Sequence, residues 1–273
     1  MEPPPARDLL GYTLALTTCD PRLTDYLHRL YDAFPVAAAA DHHYSVEPDD
    51  GRFVFLSDGG PIGSADHPEG LVSTLVNHCN RRAAEQAPQV LVHAGGVERD
   101  GAGVVLPASM ESGKTTLTTG LVRAGFRYLS DEAVAIDRTT HSVVPYPKPM
   151  SLDPGSWPLF PELEPREPFA TDGYKETQWQ VPPAAIRGDA VGASCPVAYV
   201  VFPRYEAGAT TELVPLTRGE ALVEMAKNTF RFDTDARPSL EVLAGVVRGA
   251  EVYRLPNGSL DEAVACITEL FGG

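Results

Sequence analysis

The stretch Gly103-Val104-Val105-Leu106-Pro107-Ala108-Ser109-Met110-Glu111-Ser112-Gly113-Lys114-Thr115-Thr116 decides how this chain is read. Gly103 to Leu106 is apolar without interruption, which suits a short strand buried on both faces. From Lys114 the pattern turns helical and runs to Ala124, where Gly125 supplies a stop. The loop between them, Ala108 to Thr115, comes close to the pattern GxxxxGK[ST]. In that pattern the backbone N–H groups of a strand-to-helix loop wrap phosphate oxygens. Gly113 allows close backbone approach, Lys114 would reach the β- and γ-phosphates, and the Thr115 hydroxyl would hold Mg²⁺. Ala108 stands where the pattern has Gly, and Gly there often takes a conformation costly for a residue with a Cβ. Ala108, Ser109, Met110, Glu111, Ser112, Gly113, Lys114, Thr115 and Thr116 are therefore the expected nucleotide-binding set.

The neighbouring segments extend the strand, loop, helix, strand order. Gln89 to Gly95 reads as a strand before the loop, and Tyr128 to Asp137 as another after the helix. Asp131 and Glu132 fall inside that second apolar run. Buried carboxylates are costly without a partner, and a magnesium ion would be one. The alternative is a solvated acidic pair on an exposed sheet edge. Downstream, Val197 to Phe202 and Glu251 to Leu255 read as strands. Helices are expected from Gly219, over 239–248 and over Leu260 to Phe271.

Residues 1–88 read as a smaller α+β region, and 89–273 as the nucleotide-binding domain. The first ten residues look like a flexible leader. Tyr12 to Thr18 is β-rich, and Asp20-Pro21 starts a helix with Leu23, Leu27, Leu30 and Tyr31 on one face. Tyr44 to Val46 and Arg52 to Leu56 flank the turn Pro48-Asp49-Asp50-Gly51. Residues 145 to 183 form a long excursion rich in Pro and aromatics, a kind of segment that is usually functional or mobile. Trp157 and Trp179 within it are read as buried aromatics, with a lid or acceptor groove as the alternative.

Composition narrows the function. Lys plus Arg total 22 against 37 Asp plus Glu, a net charge of −15. That balance opposes general binding to nucleic acid or anionic membranes, though one nucleotide needs only a local positive site. No apolar run approaches the roughly 20 residues of a membrane span, and Met1-Glu2-Pro3-Pro4-Pro5 does not open a signal peptide. Cys19, Cys79, Cys195 and Cys266 are scattered with no CxxC pair, which suits reduced thiols in the cytoplasm. His42, His43 and His67 are rejected as a metal set, because adjacent strand residues point to opposite faces.

With these residues in view, the chain resembles the HPr kinase/phosphorylase family, specifically its shorter bacterial relatives. The resemblance is firmest from about Val90 to Asp137. It runs more loosely through Pro147-Lys148-Pro149, Phe202-Pro203-Arg204-Tyr205 and Asn228-Thr229-Phe230. It implies an α/β fold with a mixed sheet, its catalytic core shared with phosphoenolpyruvate carboxykinases. His93 matches a family His on the strand before the loop, and Ser130-Asp131-Glu132 matches a family Asp-Asp pair with Glu in second place. By resemblance, Asp131 would hold magnesium with Thr115, Glu132 would stand at the general base, and His93 would interact with that carboxylate. The extra methylene of Glu132 leaves open whether Asp131 takes the base role instead.

Lys148, Arg187 and Arg204 are candidate cations for a triphosphate, Lys148 and Arg204 foremost. The implied activity is transfer of the γ-phosphoryl group of ATP to a hydroxyl on a peptide, a protein or a small molecule, with Mg²⁺ as cofactor. ATP is the default, since no guanine-reading signature is present. The segment that follows the Asp pair in the full HPr enzyme is only faintly echoed at Ala185 to Asp189, which argues against HPr itself as acceptor. The family also points to assembly of several copies. The competing reading is a non-catalytic nucleotide-binding regulatory module.

Overall fold

The computed structural model describes residues 5–109, 112–165 and 178–272. In chain order its elements begin with β1 (Arg7–Leu9), β2 (Tyr12–Thr18), α1 (Pro21–Tyr31), β3 (His42–Asp49), β4 (Arg52–Ser57), β5 (Gly60–Ala65) and α2 (Val72–Gln86). Next come β6 (Val90–Arg99), β7 (Ala102–Pro107), α3 (Lys114–Arg123), β8 (Arg127–Ser130), β9 (Ala133–Ile136) and β10 (Ser142–Val144). The chain continues with β11 (Met150–Leu152), β12 (Trp179–Val181), α4 (Pro183–Ile186), β13 (Cys195–Tyr205) and β14 (Val214–Pro215). It ends with α5 (Arg218–Lys227), α6 (Ala236–Gly249), β15 (Glu251–Asn257) and α7 (Leu260–Glu269). No helix among the described residues is long and apolar enough to cross a membrane.

Contacts divide the chain into two compact units. The first comprises Met1–Pro88 and Lys148–Ala185, the second Gln89–Pro147 and Ile186–Gly273. The segment from Lys148, expected in the second domain, thus makes its contacts with the first.

In the first unit a five-stranded sheet runs β1-β2-β3-β4-β5, with only β2 and β3 parallel. The expected leader is corrected here: Arg7, Asp8 and Leu9 pair with Leu14, Thr13 and Tyr12. Asp20 starts α1 as anticipated, its side chain accepting from Arg22 N at 2.8 Å with Pro21 in the first turn, where its missing N–H costs nothing. The helix buries Leu23, Tyr26, Leu27, Leu30 and Tyr31. From the excursion, β11 and β12 pair antiparallel, and Tyr26 Oη donates to Gln180 O at 3.1 Å. Trp157 and Trp179 stack with ring centroids 4.7 Å apart, and Trp179 is buried.

The second unit is built on the strand order β10-β9-β6-β7-β13-β15-β14. β10 also pairs with β13, so the strand path returns on itself. β7, β13 and β15 run parallel, and β6 is antiparallel to β7, giving the mixed sheet expected. Val92, Ala94, Val105, Val134 and Val200 pack with Met225, Leu243 and Val246 in one core. The run expected as one strand over Tyr128–Asp137 is two. β6 pairs with β9 through Val90–His93 and with β8 through Gly96–Glu98, and the chain bends at Asp131-Glu132 between them. The acids therefore sit at the bend between the two ladders, Asp131 buried and Glu132 exposed.

Candidate functional site

Strand register brings the sequence-derived residues to one end of the second unit's sheet. Pro107, the last residue of β7, pairs with Ala94 on β6. His93, beside it, pairs with Ala133, the first residue of β9. The loop after β7, the His93 backbone and the Asp131-Glu132 bend thus emerge together across three adjacent strands. Two hydrogen bonds stitch them: Ala108 N donates to His93 O at 3.3 Å, and Ala94 N donates to Glu132 O at 3.2 Å.

In the loop, Gly113 caps α3 at φ 82°. That left-handed backbone is strained for most residues and natural for glycine. No described atom lies within 4 Å of where a Cβ would point. Ala108 is not among the residues with positive φ, so the departure from Gly there costs no backbone strain. Met110 and Glu111 lie outside the described residues. Ser109 is exposed, and Thr115 and Thr116 are half-buried.

Lys114 opens α3 and is only 6% exposed. Its ammonium has three donors, and among the described residues the one hydrogen bond it makes is Nζ to Ser109 O at 2.6 Å. Burial pushes its pKa down to about 8, with the charges of Asp131 and Glu132 working in the opposite direction. Among the described residues no carboxylate pairs directly with it, and burial of a cation in that state is unfavourable. A phosphate group would relieve it.

Asp131 is 2% exposed, whereas Glu132 is exposed. The solvated-edge alternative thus fails for Asp131. Tyr128, fully buried on β8, donates Oη to Asp131 Oδ1 at 2.8 Å. Burial, followed by the Asp131 charge, holds the phenol well above its ordinary pKa, so it stays a donor at any physiological pH. Sequence reading missed Tyr128: a tyrosine in an apolar run looks like core. Its position three residues before an acid was the only signal.

His93 is half-buried, with its pKa lowered first by burial and then by the Lys114 charge, against a raising influence from Glu132. Its ring meets Phe230 edge-on at 5.8 Å. Asn228 O accepts from His93 N at 2.6 Å, and Phe230 N donates to Leu91 O at 2.9 Å. The segment Asn228-Thr229-Phe230 therefore lies along β6 and holds the His93 backbone from the side. Beneath α3, Gly95 sits so close that an added Cβ would fall 2.2 Å from Thr118 Oγ1. The glycine lets the first turns of the helix approach the strand.

The other expected cations divide. β13 runs parallel to β7 with Val200 opposite Val105, which puts Arg204 beyond the level of Pro107, at the same end as the loop. Its guanidinium is 73% exposed and pairs with Glu206 at 2.8 Å. Lys148 belongs to the first unit, is buried, and donates to Pro149 O at 3.0 Å. Among the described residues no group of three His, Cys, Asp or Glu forms a metal cluster.

The comparisons with known proteins add little to this geometry. No protein-family model matches the chain, and no curated protein matches it. Among solved structures, the HPr(Ser) kinase/phosphatase from Coxiella burnetii aligns with 67% of this chain and 99% of its own length, at 13% identity and a TM-score of 0.33. A likeness at that level shows no family and no activity.

Proposed function

We propose that this chain is a Mg²⁺-dependent kinase that transfers the γ-phosphoryl group of ATP to a hydroxyl of a peptide, a protein or a small molecule. The observation that carries the reading is Lys114: a buried cation at the start of a helix, hydrogen-bonded to a single carbonyl among the described residues. The same end of the sheet holds a buried acid. Two further features fit a phosphate guest. Among the described residues, Ser112 Oγ is buried with no hydrogen-bond partner, and no atom lies within 4 Å of a Cβ placed on Gly113. The N-terminus of α3 adds backbone N–H groups that no residue of the helix can satisfy.

Thr115 and Asp131 would hold the magnesium ion, as hard oxygen donors suit it. That ion, when bound, would offset the charge that develops on the phosphate oxygens. Lys114 would bind the β- and γ-phosphates. Tyr128 fixes the Asp131 carboxylate through its hydrogen bond. Glu132, exposed next to it, would accept the proton of the incoming hydroxyl, and His93 would tune that carboxylate by its nearby dipole. The division of labour follows exposure: the buried, held acid suits a ligand role, and the reachable acid suits proton transfer.

The direct test is ATP titration by calorimetry, followed by incubation with γ-labelled ATP, Mg²⁺ and hydroxyl acceptors. ATP binding that Lys114→Ala abolishes, with transfer that Glu132→Gln slows about 100-fold or more, supports the proposal. Undiminished ATP binding by Lys114→Ala would remove its basis. Tight binding with no transfer to any acceptor would leave a nucleotide-dependent binding module.

A further inference from the structure

A second charged cluster lies at the opposite end of the second unit's sheet. The turn at Asp100-Gly101, the end of α3 at Gly125 and the segment around Arg187 and Asp189 line a cavity of about 520 Å³. Three arginines, Arg99, Arg127 and Arg187, line it as well. It is separate from the phosphate loop. β6 carries Ala94 opposite Pro107 and Arg99 opposite Ala102, and those five residues span roughly 17 Å at about 3.4 Å each.

The three arginines are not equivalent. Arg187 is engaged by the fold itself, since its Nε donates to Asp189 Oδ1 at 2.5 Å and its Nη2 to Phe126 O at 3.3 Å. Arg99 lies over the Phe126 ring, 5.1 Å from its centroid, which fixes the plane of the guanidinium. Asp100 approaches only its Nε, at 3.9 Å, and its Nη1 is buried with no hydrogen-bond partner. A buried donor left without an acceptor is destabilising. Arg127 is exposed and has no hydrogen bond or ion pair from its side chain among the described residues, though its charge is felt at Asp189. Three acids, Glu98, Asp100 and Asp189, line the cavity with the arginines. Glu98 Oε1 accepts from Gly101 N at 2.7 Å, Asp189 is taken by Arg187, and Asp100 sits 84% exposed on the turn. Among the described residues, Arg99 Nη1 and the Arg127 guanidinium thus keep donors without an acceptor.

We infer that this cavity is a second anion site, one that takes the phosphate group of a small phosphorylated molecule. Guanidinium groups stay charged and match phosphate oxygens in bidentate fashion. Arg99 and Arg127 together suit a dianion, where a single carboxylate would need only one of them. The volume falls in the range of small-molecule sites, about 300–1,000 Å³.

The test keeps the loop occupied. The full chain is saturated with ADP and Mg²⁺, then titrated with inorganic phosphate or glycerol 3-phosphate while backbone amides are followed by NMR. Saturable shifts at Gly101 and Gly125 are expected, weakened about tenfold by Arg99→Gln and by Arg127→Gln and retained in Lys114→Ala. Tighter binding of the ester identifies an organic phosphate as the ligand, and equal binding identifies the free ion; both support the site. Arg127, being exposed, guards against loss of folding in the Arg99 variant. The inference is overturned if those amides do not respond to either probe, or respond as strongly in both arginine variants as in the wild type.

Discussion

Replacing Lys114 by methionine separates a functional lysine from a structural one. The side chain is almost fully buried and titrates at about 8 rather than 10.5. That displacement corresponds to ~3 kcal/mol of cost for keeping the ammonium charged in the folded protein. The lost bond to Ser109 O returns about 1 kcal/mol, so Lys114→Met should stabilise the nucleotide-free protein by about 2 kcal/mol at pH 7. In a unit of this size that raises Tm by roughly 4–8 °C. The sign with pH is fixed. Below pH 8 folded and unfolded chains are both protonated and the full cost stands. Between pH 8 and 10.5 the unfolded chain holds a proton that the folded one has lost, so wild-type stability climbs with pH. The advantage of the variant should therefore shrink over that window. With ATP at about 100 times its Kd, the wild type should gain about 2.7 kcal/mol, and the variant nothing. Thermal melts at pH 7 and pH 10, with and without Mg-ATP, measure all four quantities. A variant that melts lower than wild type at pH 7 and still responds to Mg-ATP would show that Lys114 serves the fold, and the reasoning would be wrong.

Tyr128→Phe removes the donor to Asp131 Oδ1. It should cost about 2 kcal/mol in chemical denaturation and weaken Mn²⁺ binding measured by paramagnetic resonance in the presence of ADP; unchanged Mn²⁺ affinity would mean that the phenol does not position the acid. Gly95→Ala forces a Cβ onto Thr118 Oγ1 and should destabilise by about 1–3 kcal/mol. Adding Thr118→Ala should recover most of that loss in a double-mutant cycle, whereas additive effects would place the strain elsewhere. Ala108→Gly should leave ATP affinity within about twofold, because Ala108 needs no left-handed backbone; a large gain in affinity on calorimetry would show that the alanine does obstruct the loop.

What could be read in the sequence was what local chemistry decides. The strand before the loop, the glycine at its end and the helix after it each follow from a few adjacent residues. The start of α3 at Lys114 fell where the pattern put it. Long-range pairing was much less visible. Nothing in Tyr128 to Ile136 marks where β6 exchanges β8 for β9 along its edge, since apolar residues continue on both sides of the acids. Arg7–Leu9 is too short and too polar to announce a strand, and only its partner β2 makes it one. The proline-rich segment from Lys148 shows no period at all, and its place is set by contacts such as Tyr26 to Gln180, 154 residues apart. The candidate site combines both kinds of information. Gly113 holds a positive φ that suits glycine, Lys114 is a buried cation, and Asp131 is a buried acid held by a buried phenol. Burial of the Lys114 charge is unfavourable for the fold taken alone. That cost at one sheet end, in a unit whose core is otherwise well-packed aliphatic side chains, is what a phosphate would offset.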